Sequence, residues 1–222
     1  MLLHQIYINL KRTVTEYFRI TKLLSHQVAI DKISDLYLDL PNWYVSRADN
    51  IFVENKLDNT LYGEITYQGM EILANKLQLT SKDVFYDLGC GLGRLVIYMY
   101  LTNSIKKSVG IEMVGSRYKL AELVVQLMEV EELLDPRRKL TFIHNNIRNE
   151  DFSDATVIYM SSLCFPIELM EHLNQKFIKL KKGLRIISLS ALPEHPSLKL
   201  KETGLLPMTW TNTSTIYYYE LV

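Results

Sequence analysis

The chain has 222 residues, 48% of them apolar, and its 25 acidic and 25 basic side chains cancel to a net charge of zero. One domain of ordinary size with a full core fits that length, with or without a small appendage. The charge balance excludes a general nucleic-acid or membrane-surface binder, and no apolar run approaches the roughly 18 residues of a spanning helix.

Residues 1–40 show helical spacing. Ile6, Leu10, Val14, Tyr17 and Phe18 can share one face, with Lys11, Arg12 and Arg19 elsewhere. Ser34-Asp35 ahead of Leu36-Tyr37-Leu38 predicts a further short helical piece, stopped by Pro41-Asn42. Residues 1–60 are read as an N-terminal helical region, either a cap on the core or a substrate-binding lid, and 61–222 as the main domain. Residues 42–62 read as loop and carry Trp43, Tyr44 and Arg47. A helix from about Thr66 to Leu77 follows, and polar Ser81-Lys82-Asp83 leads out of it.

The next stretch, Val84 to Ile97, is the one around which the chain is organised. It begins as a buried strand, breaks at Asp87 and the alternating Gly89, Gly91 and Gly93, and resumes as an apolar helix to about Leu101. Glycine permits a tight turn and close backbone approach to a ligand. The following helix points free N–H groups and its positive dipole end at that ligand. A purely structural strand–helix turn is the alternative. A second strand, Ser108 to Ile111, ends at Glu112, 25 residues after Asp87 (112 minus 87). An acid there suits a ribose diol. The Asp-x-Gly-x-Gly-x-Gly pattern resembles the class I methyltransferases that bind S-adenosyl-L-methionine. That cofactor has no pyrophosphate to neutralise, and no basic residue precedes Arg94 in the loop. A cation at a helix N-terminus is disfavoured, so Arg94 either pairs with a carboxylate from elsewhere or faces solvent.

Gly115 to Val130 reads as an amphipathic helix burying Leu120, Leu123, Val124, Leu127 and Met128, and Asp135 to Arg138 as a turn. Leu140 to His144 is a third strand, ending at Asn145-Asn146, and Thr156 to Met160 a fourth, ending at Ser161-Ser162. Ile167 to Phe177 is helical, and Gly183 turns into a fifth strand, Leu184 to Ser188. Met208-Thr209-Trp210 and Ile216 to Tyr219 read as a closing hairpin around Thr211 to Ser214. The fold class is therefore α/β and Rossmann-like. Its mostly parallel, seven-stranded sheet carries an antiparallel C-terminal hairpin. Ligands of such sheets lie past the carboxyl ends of the strands. Asp87 is expected to take the amino-acid end of the cofactor and Glu112 its ribose. Asn146 and Ile147 are expected to meet the adenine, and Ser161 to lie near the sulfonium. Asp87 is also expected to brace the loop, so that its loss costs stability, whereas loss of Glu112 leaves the apo protein unchanged.

Cys90 and Cys164 form no C-x-x-C motif, and the five histidines lie far apart. No metal site is expected. A reducing, cytoplasmic setting fits, and the start Met1-Leu2-Leu3-His4-Gln5 lacks a basic leader. Secretion without a leader is compatible with the same residues.

Several segments carry a narrower likeness. Leu61-Tyr62-Gly63-Glu64-Ile65-Thr66, Val157 to Phe165, Leu184 to Ser188, and Thr209-Trp210-Thr211 with Tyr217-Tyr218 resemble the V-Y-G-E-T, V-I-F-V-N-N-F-A-F, G-R-I-V-S and S-W-T-G…Y-Y segments of one family. That is the disruptor-of-telomeric-silencing family, histone lysine methyltransferases without a SET domain. The similarity runs from about residue 55 to 222. It implies that Glu64 helps hold the methionine part of the cofactor, and that Trp210 and Tyr217 line a channel for the target side chain. Three departures stand out. Ser161-Ser162-Leu163 replaces N-N-F, Asn145-Asn146-Ile147 replaces G-D-F, and no lysine-rich DNA-gripping segment is present.

Methyl transfer from a sulfonium to an amine needs positioning and a dry channel. A free lysine has a pKa near 10.4, and an apolar aromatic tunnel lowers it. Trp210, Tyr217 and Leu163 are expected to build that tunnel, and no dedicated base is evident. The expected activity is S-adenosylmethionine-dependent methylation of a lysine on a protein substrate, by a monomer with no strong nucleic-acid or membrane binding. Small-molecule or RNA methylation, or a non-catalytic cofactor-binding scaffold, stays open because of the departures.

Overall fold

The computed structural model describes residues 23–40, 49 and 63–222. The helical face from Ile6 to Phe18, the stop at Pro41-Asn42, the Trp43-Tyr44 loop and Leu61-Tyr62 lie outside the described residues. The described elements are α1 (His26–Tyr37), α2 (Tyr67–Leu77), β1 (Val84–Leu88), α3 (Arg94–Thr102), β2 (Lys107–Glu112), α4 (Gly115–Val130) and β3 (Lys139–His144). They continue through β4 (Val157–Met160), α5 (Ile167–Phe177), β5 (Arg185–Ser188), β6 (Leu198–Met208) and β7 (Thr211–Leu221).

The seven strands form one sheet in the order β3-β2-β1-β4-β5-β7-β6. The first five are parallel, and β7 pairs antiparallel with both β5 and β6. β1 is central, and all five of its residues are buried, Asp87 included. Parallel strands covered on both faces read as continuous apolar runs, which is why β1, β2 and β4 were legible. Helices α1, α2, α3 and α4 cover one face, packing Ile33, Leu73, Val96 and Val124 into a common core. Helix α5 covers the other with Leu169, Leu173 and Phe177. Asp87 of β1 stands beside Tyr159 of β4 in the register.

Three expectations are corrected. Ser34-Asp35 does not start a helix. Helix α1 begins at His26 and runs through the pair, and the Ser34 hydroxyl donates back to the Ile30 carbonyl at 2.8 Å rather than capping. Helix α4 turns Ala121, Val124 and Met128 inward and leaves Leu123 and Leu127 on the surface. The hairpin turns at Thr209-Trp210, not at Thr211 to Ser214. Its first strand, β6, escaped the sequence reading because residues 199–205 are mostly exposed. An edge strand needs no continuous apolar pattern.

Gly89, Gly91 and Gly93 all adopt positive φ, at 84°, 57° and 83°. Gly93 carries a second constraint. A β-carbon there would lie 2.4 Å from two ring carbons of Phe142 on β3. Gly93→Ala is therefore expected to destabilise the protein by about 2–4 kcal/mol, from left-handed strain and overpacking together. Urea unfolding should show this as a lower midpoint with an unchanged slope.

Candidate functional site

The turn between β1 and α3 is held from two sides. Glu112, at the end of β2, is buried, and both its oxygens are engaged. Oε2 accepts the Gly91 N–H and Oε1 the Val114 N–H, each at 2.8 Å. From the other side the Tyr37 hydroxyl of α1 donates to the Leu92 carbonyl at 2.6 Å. The ring of Tyr37 also supports the Arg94 guanidinium, 4.4 Å from its centroid. Arg94 in turn pairs with Glu64 at 2.5 Å. The cation at the helix N-terminus thus has its carboxylate, contributed from 30 residues upstream.

The segment that delivers Glu64 is stitched to the hairpin. The Glu64 N–H donates to Thr209 Oγ1 at 3.0 Å. The Thr209 N–H returns to the Glu64 carbonyl at 2.8 Å, and the Thr66 N–H donates to the Pro207 carbonyl at 3.1 Å. Trp210 lies against Gly63 so closely that a β-carbon at 63 would meet its ring at 2.1 Å.

Gly63, Glu64, Asp87, Gly89, Tyr159 and Ser161 are among the residues lining a narrow cavity at the carboxyl end of β1 and β4, with Gly91 and Cys90 beside them. Three buried side-chain oxygens among the described residues lack a hydrogen-bond partner, and two of them, Asp87 Oδ1 and the Tyr159 hydroxyl, belong to this cavity's lining. Burial pushes the Asp87 carboxyl well above its ordinary value, and the nearby Glu112 and Glu64 push it the same way. Burial likewise raises Glu112, against the pull of Arg117 and of the N–H groups it accepts. Burial, then Asp87 and Glu112, raises the Cys90 thiol. An orphaned, buried carboxyl oxygen beside a positive-φ glycine turn fits a ligand that brings a cation with N–H donors. The ammonium of S-adenosylmethionine is such a group.

The other expected site residues fall elsewhere. Gly93 is the N-cap residue ahead of α3 and shapes the turn. Asn146 acts as a turn former, its Oδ1 accepting the Arg148 N–H at 2.9 Å, and Ile147 is buried in the α5-side core. Lys176 holds that loop by donating to the carbonyls of Ile147, Arg148 and Glu150. Trp210 and Tyr217 do not build one tunnel. Trp210 is 45% exposed at the hairpin turn, and roughly 20 Å of strand separates the two. Tyr217 pairs with Ser188, stacks on Tyr219 and packs against the core that α5 covers, whereas Tyr159 packs with the core on the other face. Leu163 is exposed. Ser162 is buried in a hydroxyl network with Ser188 and Ser190, so of the two serines only Ser161 lines the cavity. Tyr37 and Tyr159 were missed, since each reads as one more apolar residue within its run. Among the described residues no group of His, Cys, Asp or Glu is arranged to hold a metal ion, and no helix is long and apolar enough to cross a membrane.

A family model described as histone methylation protein DOT1 matches residues 45–203. The chain belongs to the DOT1 family. An H3 lysine-79-specific histone-lysine N-methyltransferase of Kluyveromyces lactis is 30% identical over 60% of this chain and 25% of its own length. A protein-lysine N-methyltransferase of Saccharolobus islandicus is 30% identical over 50% of this chain and 64% of its own. The chain thus spans about a quarter of the yeast relative, and 15% of the Caenorhabditis elegans one. Among solved structures, an RNA methyltransferase of Salinibacter ruber, crystallised with S-adenosyl-L-homocysteine, shares the fold. Its TM-score is 0.50 at 20% identity, over 68% of this chain and 89% of that one. The family match ends inside β6, so the Trp210…Tyr217 likeness lies beyond it.

The geometry moves the bracing role from one acid to the other. Glu112 braces the turn and Asp87 does not. Glu112→Ala orphans the Gly91 and Val114 N–H groups and should cost about 2–4 kcal/mol. Asp87 binds its proton more tightly folded than unfolded. Above the unfolded value of about 3.9, the native state therefore holds more protons, and stability falls as pH rises towards the folded value. Asp87→Asn removes that contribution. It should flatten the fall and raise the apo melting temperature near neutral pH, with Glu112, Glu64, Tyr159, Cys90 and Arg94 left in place. Thermal melts of both variants across pH check this.

Proposed function

We propose that the chain transfers a methyl group from S-adenosylmethionine to the side-chain amine of a lysine in a protein. The observation that carries this reading is the orphaned Asp87 Oδ1 in the cavity beside the glycine turn, in a chain of the DOT1 family. It is supported by the two relatives at 30% identity, both of which bear lysine methyltransferase names. The wider substrate class is preferred to the nucleosome. The relatives' names share a lysine N-methyltransferase activity and differ in whether the lysine is specified as one of histone H3.

The cofactor supplies a methyl group on a sulfonium leaving group. The protein's own work is placement. Asp87 accepts from the ammonium. The turn, braced by Glu112, presents the backbone of Gly89 and Gly91, and Glu64, held by Arg94, closes the methionine end. Ser161 stands at the carboxyl end of β4, where the target amine enters. Only about 1 in 10³ free lysines is neutral at pH 7. Ile65, Met70 and Leu95, which also line the cavity, keep water from it, and a dry approach for the target side chain favours its uncharged amine.

The test is incubation with methyl-labelled S-adenosylmethionine, histones and a protein lysate, followed by mass spectrometry of labelled lysines. Wild type should label protein lysines, and Asp87→Asn should reduce labelling at least about tenfold through lost cofactor affinity. Label confined to RNA or small molecules would sink the lysine assignment.

A further inference from the structure

Tyr159 is 1% exposed, yet its hydroxyl has no partner among the described residues. A buried hydroxyl without a hydrogen bond carries an uncompensated desolvation cost. Phenylalanine would fill the same core space without that cost. Packing alone therefore does not account for the oxygen.

Its position does. Tyr159 and Asp87 are register partners on adjacent parallel strands, so their side chains leave the sheet on the same face. Both line the same cavity, and both present an unsatisfied oxygen. The two do not satisfy each other. The Asp87 carboxylate oxygen takes a donor, and the Tyr159 hydroxyl can accept as well as donate, so one group with two or more N–H donors can serve both. Glu64 and Glu112 both add unfavourably to negative charge at Asp87, and a cation placed against Asp87 offsets that. An ammonium has three donors and the right charge.

We propose that the Tyr159 hydroxyl is a cofactor-binding group, accepting a hydrogen bond from the ammonium that Asp87 also receives. Two neighbouring strands then read the amino-acid end of the cofactor together. The inference rests on the cofactor proposed above. It assigns to the tyrosine a selectivity for ligands that carry an α-ammonium, over adenosine derivatives that lack one.

Calorimetry on the full chain tests it with two probes, S-adenosylhomocysteine and 5′-methylthioadenosine, which has no amino-acid end. Tyr159→Phe should weaken S-adenosylhomocysteine about tenfold or more, as loss of a hydrogen bond to a charged group does. Methylthioadenosine should bind variant and wild type alike, and the apo variant should melt no lower than wild type. Unchanged S-adenosylhomocysteine affinity would overturn the proposal and leave the hydroxyl to an internal water. Equal weakening of both probes would overturn it too, as general damage to the cavity. Wild type binding neither probe would instead remove the cofactor reading itself, a result distinguishable from either of these.

Discussion

The two hydrogen bonds that Glu112 accepts from Gly91 and Val114 are the constraint on which the site depends. A turn built on three positive-φ glycines has little conformational preference of its own. It needs an outside partner to select one shape. Glu112 supplies that partner from β2, the strand beside β1, and the same carboxylate sets the entry to α4. Tyr37 does the equivalent from the opposite side, through the Leu92 carbonyl. The turn is thus set by neighbours whose own positions are fixed by the sheet and by packing. A carboxylate oxygen has more than one lone-pair site, so a bracing Glu112 retains acceptor capacity for a ribose hydroxyl.

The contacts of residues 63–66 explain why two distant sequence segments go together. Glu64 reaches Arg94 only because its backbone is paired to Thr209, and Ile65 is bridged to Met208. Gly63 leaves room for the Trp210 ring that lies on it, and a side chain there would push the ring aside. The tryptophan of the hairpin turn and the acid ahead of β1 belong to one local structure. The resemblance placed Trp210 in a substrate channel. In the structure it packs on the strip that carries Glu64.

Much of this was legible. The parallel strands were, because burial on both faces forces uninterrupted apolar runs. The glycine turn was, because few residue types tolerate its backbone. Asp87 and Glu112 were recognised as a pair, but their division of labour was not. Which carboxylate meets backbone N–H groups and which stays unpartnered depends on turn geometry that residue spacing does not encode. The edge strand β6 was missed because its exposed stretch lacks a hydrophobic period. Tyr159 was read as a strand residue and no more, since a tyrosine in an apolar run announces its ring and not the fate of its oxygen. Arg94 was seen to need explaining, and its explanation lay in a segment far off in sequence.

The stretch that the family model matches, 45–203, cuts the molecule in two awkward places. It omits Tyr37, and so leaves the Leu92 carbonyl without the hydroxyl that holds it. It also ends within β6 and drops β7, the strand that covers the open edge of β5 along Arg185 to Ser188. The stretch that the family model matches is therefore smaller than the sheet and the helices that cover it. A fragment trimmed to the shared residues would expose an unpaired parallel strand, an invitation to intermolecular pairing. Aggregation of such a fragment would say nothing about whether the cofactor site is sound. The residues that the family model matches and those that complete the sheet and its cover have different borders, and helix α1 and strand β7 lie only within the second.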